Sequence, residues 1–315
     1  MLSKVAERVY WLARYVERIE NTARLVKVHS QLMLDLPKAV SFSWYGLVQI
    51  TSNESLFAQL YGDERTEKNC MALMLTEREN PASLMSSLWW ARENIRTTRD
   101  ILPREAWVHI NELYILVKAE QSSLLKRRER NELLSKIIRS CQAFNGMLAG
   151  TMSQNTTYRF LKLGMLIERA DMTTRLIDEG GLFVSKEQFS SEEDAHFSHI
   201  LWAHLLRSIN SYFMYRLNYQ TEICGQEVMV FLLQDSDSAR SVNYCLTTMA
   251  SLVSKLPNAQ TLEGKIMALQ TAIVQAHELS MGSEALHTYL DWIQTELSGL
   301  NQLCYQIWFS PQQVA

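Results

Sequence analysis

Punctuation is scarce in this chain: five prolines and eleven glycines serve 315 residues. That scarcity argues against a turn-rich β fold, and few alternating strand-like runs appear. The prolines, Pro37, Pro81, Pro103, Pro257 and Pro311, each stand beside a break in a long periodic segment, where a helix is expected to stop. An apolar run of the roughly 18 to 20 residues needed to span a membrane is also missing. Charge of one sign is lacking too. The 31 basic and 34 acidic residues leave a net −3, no global footprint for nucleic acid. Cysteines number five, at 70, 141, 224, 245 and 304, an odd count without a close pair. Reduced thiols and a cytoplasmic location are expected from that pattern. The N-terminus lacks the apolar core of a secretory signal, and Glu7, Glu17 and Glu20 argue against a transit peptide. No Gly-rich phosphate loop, Gly-x-Ser-x-Gly elbow or Cys-His nucleophile signature is present, so no cofactor is expected.

What is there is helical periodicity. The expected class is all-α, a bundle with helices near 2–34, 40–61, 82–101, 104–120, 129–150, 155–179, 192–220, 239–256, 260–279 and 282–308. Gly180-Gly181 reads as a left-handed helix end, and Ser190-Ser191-Glu192-Glu193 as a cap followed by first-turn acids. The basic run Lys126 to Arg130 reads as a solvated segment between helices. Methionines, 14 in all, are spread through the apolar stripes and read as core filler.

One stretch occurs twice. WLARYVERIENTARLV (11–26) aligns with KLGMLIERADMTTRLI (162–177) at an offset of 151, with six of sixteen positions identical. Four of the six are polar: Glu17/Glu168, Arg18/Arg169, Thr22/Thr173 and Arg24/Arg175. Further blocks align at an offset of 158, pairing Trp44 with Trp202, Leu47 with Leu205, Tyr61 with Tyr219, Glu77 with Asp235 and Ser83 with Ser241. A seven-residue insertion accounts for the change of offset. Two repeats of about 155 residues, near 1–150 and 151–315, are expected, too long for a solenoid period. Without a Gly/Ser/Pro-rich linker between them, one pseudosymmetric helical domain over 1–315 is the preferred picture.

In the first copy, Leu12, Val16, Ile19, Ala23 and Val26 form a bundle seam, kept in the second as Leu163, Ile167, Ala170, Thr174 and Ile177. At about 100° per residue, Glu17, Asn21 and Arg24 fall in one stripe opposite that seam, flanked by Arg14 and Arg18 on one side and Glu20 on the other. The second copy offers Glu168, Arg169, Asp171 and Arg175. Three readings stay open. A solvated face would carry ion pairs of only about 0.2–0.5 kcal/mol each. A semi-buried network would hold the arginines for structure, and losing one member could cost several kcal/mol. A binding site would use Arg forks for carboxylate or phosphate and paired acids for a cation or a proton. A second polar cluster, Arg92, Glu93, Asn94, Arg96 and Arg99, could meet the stripe, with a surface ladder the plainer reading. Its counterpart Met249 to Leu252 has lost these charges. His196, His199 and His204 share one predicted helix, but His204 lies well round it from the others, so no metal site is expected.

Taken together, Trp11 to Leu25, Ala91 to Arg96, Phe160 to Leu176 and FLLQDSDSARSV (231–242) resemble the bacterial alpha-E domain family over essentially the whole chain. One departure is Ala239, where the family pattern has Pro before Arg-Ser-Val. The resemblance implies a helical protein encoded or fused beside a circularly permuted ATP-grasp protein, a transglutaminase-like protein and sometimes a proteasome-like peptidase. It therefore implies peptide or amide-bond chemistry around the chain without assigning it a reaction. Two hypotheses follow. The first is an accessory protein that binds or presents a peptide or carboxylate substrate to an ATP-grasp amide ligase. The second is an enzyme whose Glu17/Glu168 and Arg24/Arg175 pairs form an acid-base and anion-binding site at the pseudotwofold. Neither involves nucleic acid or a membrane.

Overall fold

A computed structural model describes residues 2–35, 43–186, 192–276 and 284–310, and the side chains among these except those of Asp35 and of 181–197. The described residues hold fifteen α-helices and no strand, so the all-α expectation stands. By packing, the chain divides into two compact units, 1–165 and 166–315.

The first unit contains α1 (Ser3–Asp35), α2 (Gly46–Ile50), α3 (Glu54–Tyr61), α4 (Glu67–Met71), α5 (Leu84–Arg96), α6 (Arg104–Ala119), α7 (Gln121–Leu125) and α8 (Arg127–Thr151). Helix α9 (Thr156–Lys186) contains the unit boundary. Helix α1 lies against both α5 and α8, α5 also against α6, and α6 against α8. With neighbours on more than one side, α1 has no exposed residue from Trp11 to Ser30. The seam residues Leu12, Val16, Ile19, Ala23 and Val26 are all buried, each contributing about 1.5–3 kcal/mol for the large ones. Gly164 of α9 allows a backbone approach to α1, since a Cβ there would collide with the Tyr10 carbonyl oxygen.

The second unit contains α10 (Glu192–Ser208), α11 (Tyr212–Asn218), α12 (Gly225–Gln234), α13 (Val242–Val253), α14 (Gln260–Val274) and α15 (Glu284–Cys304). Here α13 packs on α14, α14 on α15, and α12 on both α13 and α14. Wider π-type turns follow α4 at Ala72–Thr76 and α15 at Tyr305–Phe309.

Several expected helices are shorter than their periodicity predicts. The segment 40–61 breaks at Ser52, whose φ is 51°. Nearby, the Thr51 hydroxyl donates to the Leu47 and Val48 carbonyls and Asn53 Nδ2 donates to the Thr51 carbonyl, so side chains compete with the helical ladder. The segment 192–220 breaks at Asn210, φ 61°, which stands 158 residues after Ser52. The same offset relates the caps of α5 and α13: Ser83 Oγ accepts from Ser86 N and Ser241 Oγ from Tyr244 N. It also relates Glu77, whose carboxylate accepts from Arg78 N and Glu79 N, to Asp235, which accepts from Asp237 N and Ser238 N.

Two local expectations are corrected. Gly180 does not end a helix, because α9 continues to Lys186. Its lack of a side chain serves close packing instead, as a Cβ would lie 2.7 Å from Leu205 Cδ1. The basic run is not wholly solvated. Arg130 is buried on α8, donating to the Leu124 carbonyl at 2.8 Å and pairing with Glu67 of α4 at 2.9 Å. Pro37, Pro311, Ser190 and Ser191 lie outside the described residues.

Candidate functional site

Helix α1 carries its polar stripe inside the first unit. Glu17 has 0% of its surface exposed and Glu20 2%, while Arg14, Asn21 and Thr22 are also buried. The solvated-face reading fails for this copy, because helices cover the side opposite the seam as well. Arg24 donates to Glu20 Oε1 at 2.7 Å, and Gln142 of α8 donates to the same oxygen at 3.4 Å. Burial first, and then the charges of Glu20 and Glu17, push the Cys141 thiol of α8 well above its ordinary range. Arg14 lies over the Trp11 ring at 4.7 Å and Arg18 over Tyr15 at 5.8 Å. Arg14, Glu17 and Glu20 are closed to solvent and Arg18 and Arg24 partly covered, an arrangement that suits locking α1 to its neighbours better than turnover on an incoming substrate.

In the second unit one matching pair sits nearer the surface. Asp171 and Arg175, each 151 residues after Glu20 and Arg24, form the same i,i+4 pair at 2.9 Å, but their side chains are 24% and 26% exposed. Glu168 is buried like Glu17. Arg169 donates to the Ala239 carbonyl at 3.2 Å and the Thr173 hydroxyl donates to the Arg240 carbonyl at 3.1 Å, so this helix clasps the turn ahead of α13.

The second polar cluster turns away from the stripe. Arg92 donates to Asn111 of α6 at 2.9 Å, and Glu93 receives both Arg92 and Arg96. Arg99 donates to the Arg96 carbonyl, and Asn94 supplies its carbonyl to the Thr97 and Thr98 hydroxyls. None of the five forms an ion pair with α1 among the described residues. The cluster is instead one edge of a cationic and aromatic face on α5 and α6. Arg92 stands over the rings of Trp107 (5.5 Å) and Tyr114 (5.0 Å), Arg99 over Trp107 (4.7 Å) and Lys118 over Tyr114 (5.8 Å). Beside them Trp89 and Trp90 are 42% and 43% exposed, packed edge to face at 4.5 Å. The sequence signal was the spacing Trp107, Asn111, Tyr114, Lys118, which sets one helical stripe opposite Arg92.

Of the histidines read as a possible trio, the side chain of His196 lies outside the described residues, and His204 is buried on α10. A different histidine gathers acids. His287 Nδ1 of α15 lies 2.8 Å from Asp178 Oδ1 of α9 and its Nε2 4.0 Å from Asp291. The hydrogen bond to Asp178 raises the His287 pKa, and burial raises that of Asp178 against the pull of the imidazole. The partners are 109 residues apart, which hid the pair from any spacing argument. None of the five cysteines, all among the described residues, forms a disulfide; Cys224 is exposed and the other four are buried. No described helix is long and apolar enough to cross a membrane.

A family model described as "a predicted alpha-helical domain with a conserved ER motif" matches residues 1–309. No curated protein and no solved structure matches the chain. The Glu-Arg dipeptides Glu17-Arg18 and Glu168-Arg169 both fall within the matched span.

Proposed function

Because the chain belongs to the Alpha-E family, we propose that it is an accessory protein that binds a peptide or carboxylate substrate and presents it to an ATP-grasp amide ligase, with a transglutaminase-like protein as a second partner. The observation that carries this reading is the exposed cationic and aromatic face of α5 and α6. Exposed Trp89 and Trp90 beside half-buried Trp107 and Tyr114, whose rings carry Arg92 and Arg99, is the composition of binding hot spots, since such rings supply large contact area at small entropic cost. The Glu-Arg residues of α1 support it from the other direction, because their buried charges are engaged with neighbours in the fold. Carboxylate recognition suits the guanidinium-rich edge of that face.

Co-expression with an ATP-grasp ligase tests the proposal. The two proteins are expected to copurify and the helical chain to change the ligase's rate of ATP hydrolysis. The substitution Trp107→Ala, which removes the ring under Arg92 and Arg99, is expected to weaken that association at least tenfold, about 1.4 kcal/mol. Failure to copurify together with an unchanged ligase rate would overturn the proposal.

A further inference from the structure

The tryptophan pair borders an open cleft of 310 Å³ lined by Arg78, Met85, Ser86, Trp89, Trp90 and Tyr114. That volume is at the small end of ligand pockets and holds one or two side chains rather than a folded partner. Its walls are unequal in chemistry. Met85, Trp89 and Trp90 supply apolar and aromatic surface, and Tyr114 already carries Arg92 and Lys118 on its ring. Arg78 supplies the charge.

Arg78 differs from its neighbours in how that charge is used. Arg92 and Arg96 are paired with Glu93, and Arg99 lies over Trp107. Among the described residues, the exposed Arg78 guanidinium makes no hydrogen bond, ion pair or ring contact. The adjacent carboxylate of Glu77 is committed elsewhere, accepting from the Arg78 and Glu79 backbone N–H groups and from the Tyr61 hydroxyl at 3.1 Å. The loop beneath is pinned by buried Asn80, which donates to the Leu73 carbonyl at 2.9 Å and accepts from Ala82 N at 2.9 Å. A cation is thus presented on a fixed loop at the rim of an aromatic cleft, where little ordering would be needed on binding.

We propose that this cleft binds an extended peptide segment in which a carboxylate neighbours an aromatic or large aliphatic side chain. The carboxylate pairs with the Arg78 guanidinium, and the apolar side chain lodges against Met85, Trp89 and Trp90. The inference rests on the accessory reading above and specifies its ligand. Charge complementarity selects the occupant. One uncommitted guanidinium beside apolar walls matches one carboxylate beside an apolar group, whereas a nucleic acid strand requires a track of cations along its phosphates.

The test uses the full chain labelled with fluorotryptophan, with the Trp89 and Trp90 resonances assigned by Trp→Phe substitution at each position. The probes are acetyl-Glu-Phe-Glu-amide, its Gln-Phe-Gln counterpart, acetyl-Gln-Phe with a free C-terminal acid, and an oligouridylate. The Glu-Phe-Glu peptide is expected to shift both resonances saturably, and the Gln-Phe-Gln peptide to bind at least tenfold more weakly. Binding of the free acid assigns the carboxylate to a chain terminus, and its failure beside a bound Glu-Phe-Glu assigns it to a side chain; either outcome supports the cleft. Arg78→Ala is expected to lose the discrimination between Glu and Gln while keeping the thermal transition, and Arg78→Lys to retain part of it. Equal binding of both amide peptides, discrimination persisting in Arg78→Ala, tighter binding of oligouridylate, or no shift with any peptide would each overturn the inference. Copurification with the ligase in the absence of peptide binding sinks the cleft alone, and peptide binding without a ligase partner sinks the partnership alone.

Discussion

The two Glu-Arg helices carry one signature into two settings. In α1 the acid–arginine pair Glu20–Arg24 is 2% and 13% exposed and is joined by Gln142 from α8. In α9 the matching pair Asp171–Arg175 is about one-quarter exposed on both partners. Spacing and geometry are alike, so the difference lies in what covers them. A pair covered by packed helices has given up its hydration and depends on its partner, whereas a pair near water can lose its partner and be rescued by solvent. The Glu-Arg pattern is therefore expected to act as a structural lock in the first unit. In the second it is a clasp on the 239–240 turn.

The widest separation between the units is expected from removing the acids. Glu20→Ala removes a buried carboxylate from beside the largely covered Arg24 guanidinium and should cost about 3–5 kcal/mol in urea unfolding. Asp171→Ala should cost about 1 kcal/mol or less. Similar costs for the two would break the comparison. Next in size is the pair of close-packed glycines. Gly164→Ala drives a methyl group into the Tyr10 carbonyl, which belongs to a helix and cannot step aside, so about 3 kcal/mol is expected. Gly180→Ala meets only the end of the Leu205 side chain, and a loss of about 1 kcal/mol is expected. Melting of both variants checks the ranking, and a larger loss at Gly180 would contradict it.

How far these features are legible in the sequence depends on which forces set them. Helix positions follow from periodicity and caps, and Ser83, Ser241 and Pro103 mark true starts. The seam of α1 is legible because its apolar residues are the ones that must leave water. The burial of Glu17 on the opposite side is not, since one helix's phasing says nothing about how many neighbours surround it. Gly180-Gly181 misleads because glycine serves both helix ends and close contacts, and only the position of Leu205 decides between them. The short helices α4, α7 and α12 were missed, being too brief or too uniformly apolar for a clear period. The cationic and aromatic face required knowing that α6 turns Trp107, Asn111 and Tyr114 toward Arg92, and the His287–Asp178 pair required α15 to meet α9.

The smallest expected effect concerns that last pair and sharpens the contrast from the second unit. The hydrogen bond to Asp178 raises the pKa of His287 in the folded chain. Its stabilising contribution is then fully present below the unfolded value of about 6.5, in the range where Asp178 keeps its charge, and is lost as pH rises through the folded value. His287→Asn should lower the melting temperature at mildly acidic pH, and the deficit should close toward alkaline pH. A deficit that holds constant or grows with pH would contradict the assignment.

The most direct measurement is a double-mutant cycle by urea unfolding for each pair, Glu20 with Arg24 and Asp171 with Arg175. A coupling of about 2 kcal/mol or more is expected for the first and about 0.5 kcal/mol or less for the second. Equal couplings, or a stronger one between Asp171 and Arg175, would show that the Glu-Arg pattern of α1 is not the structural lock described.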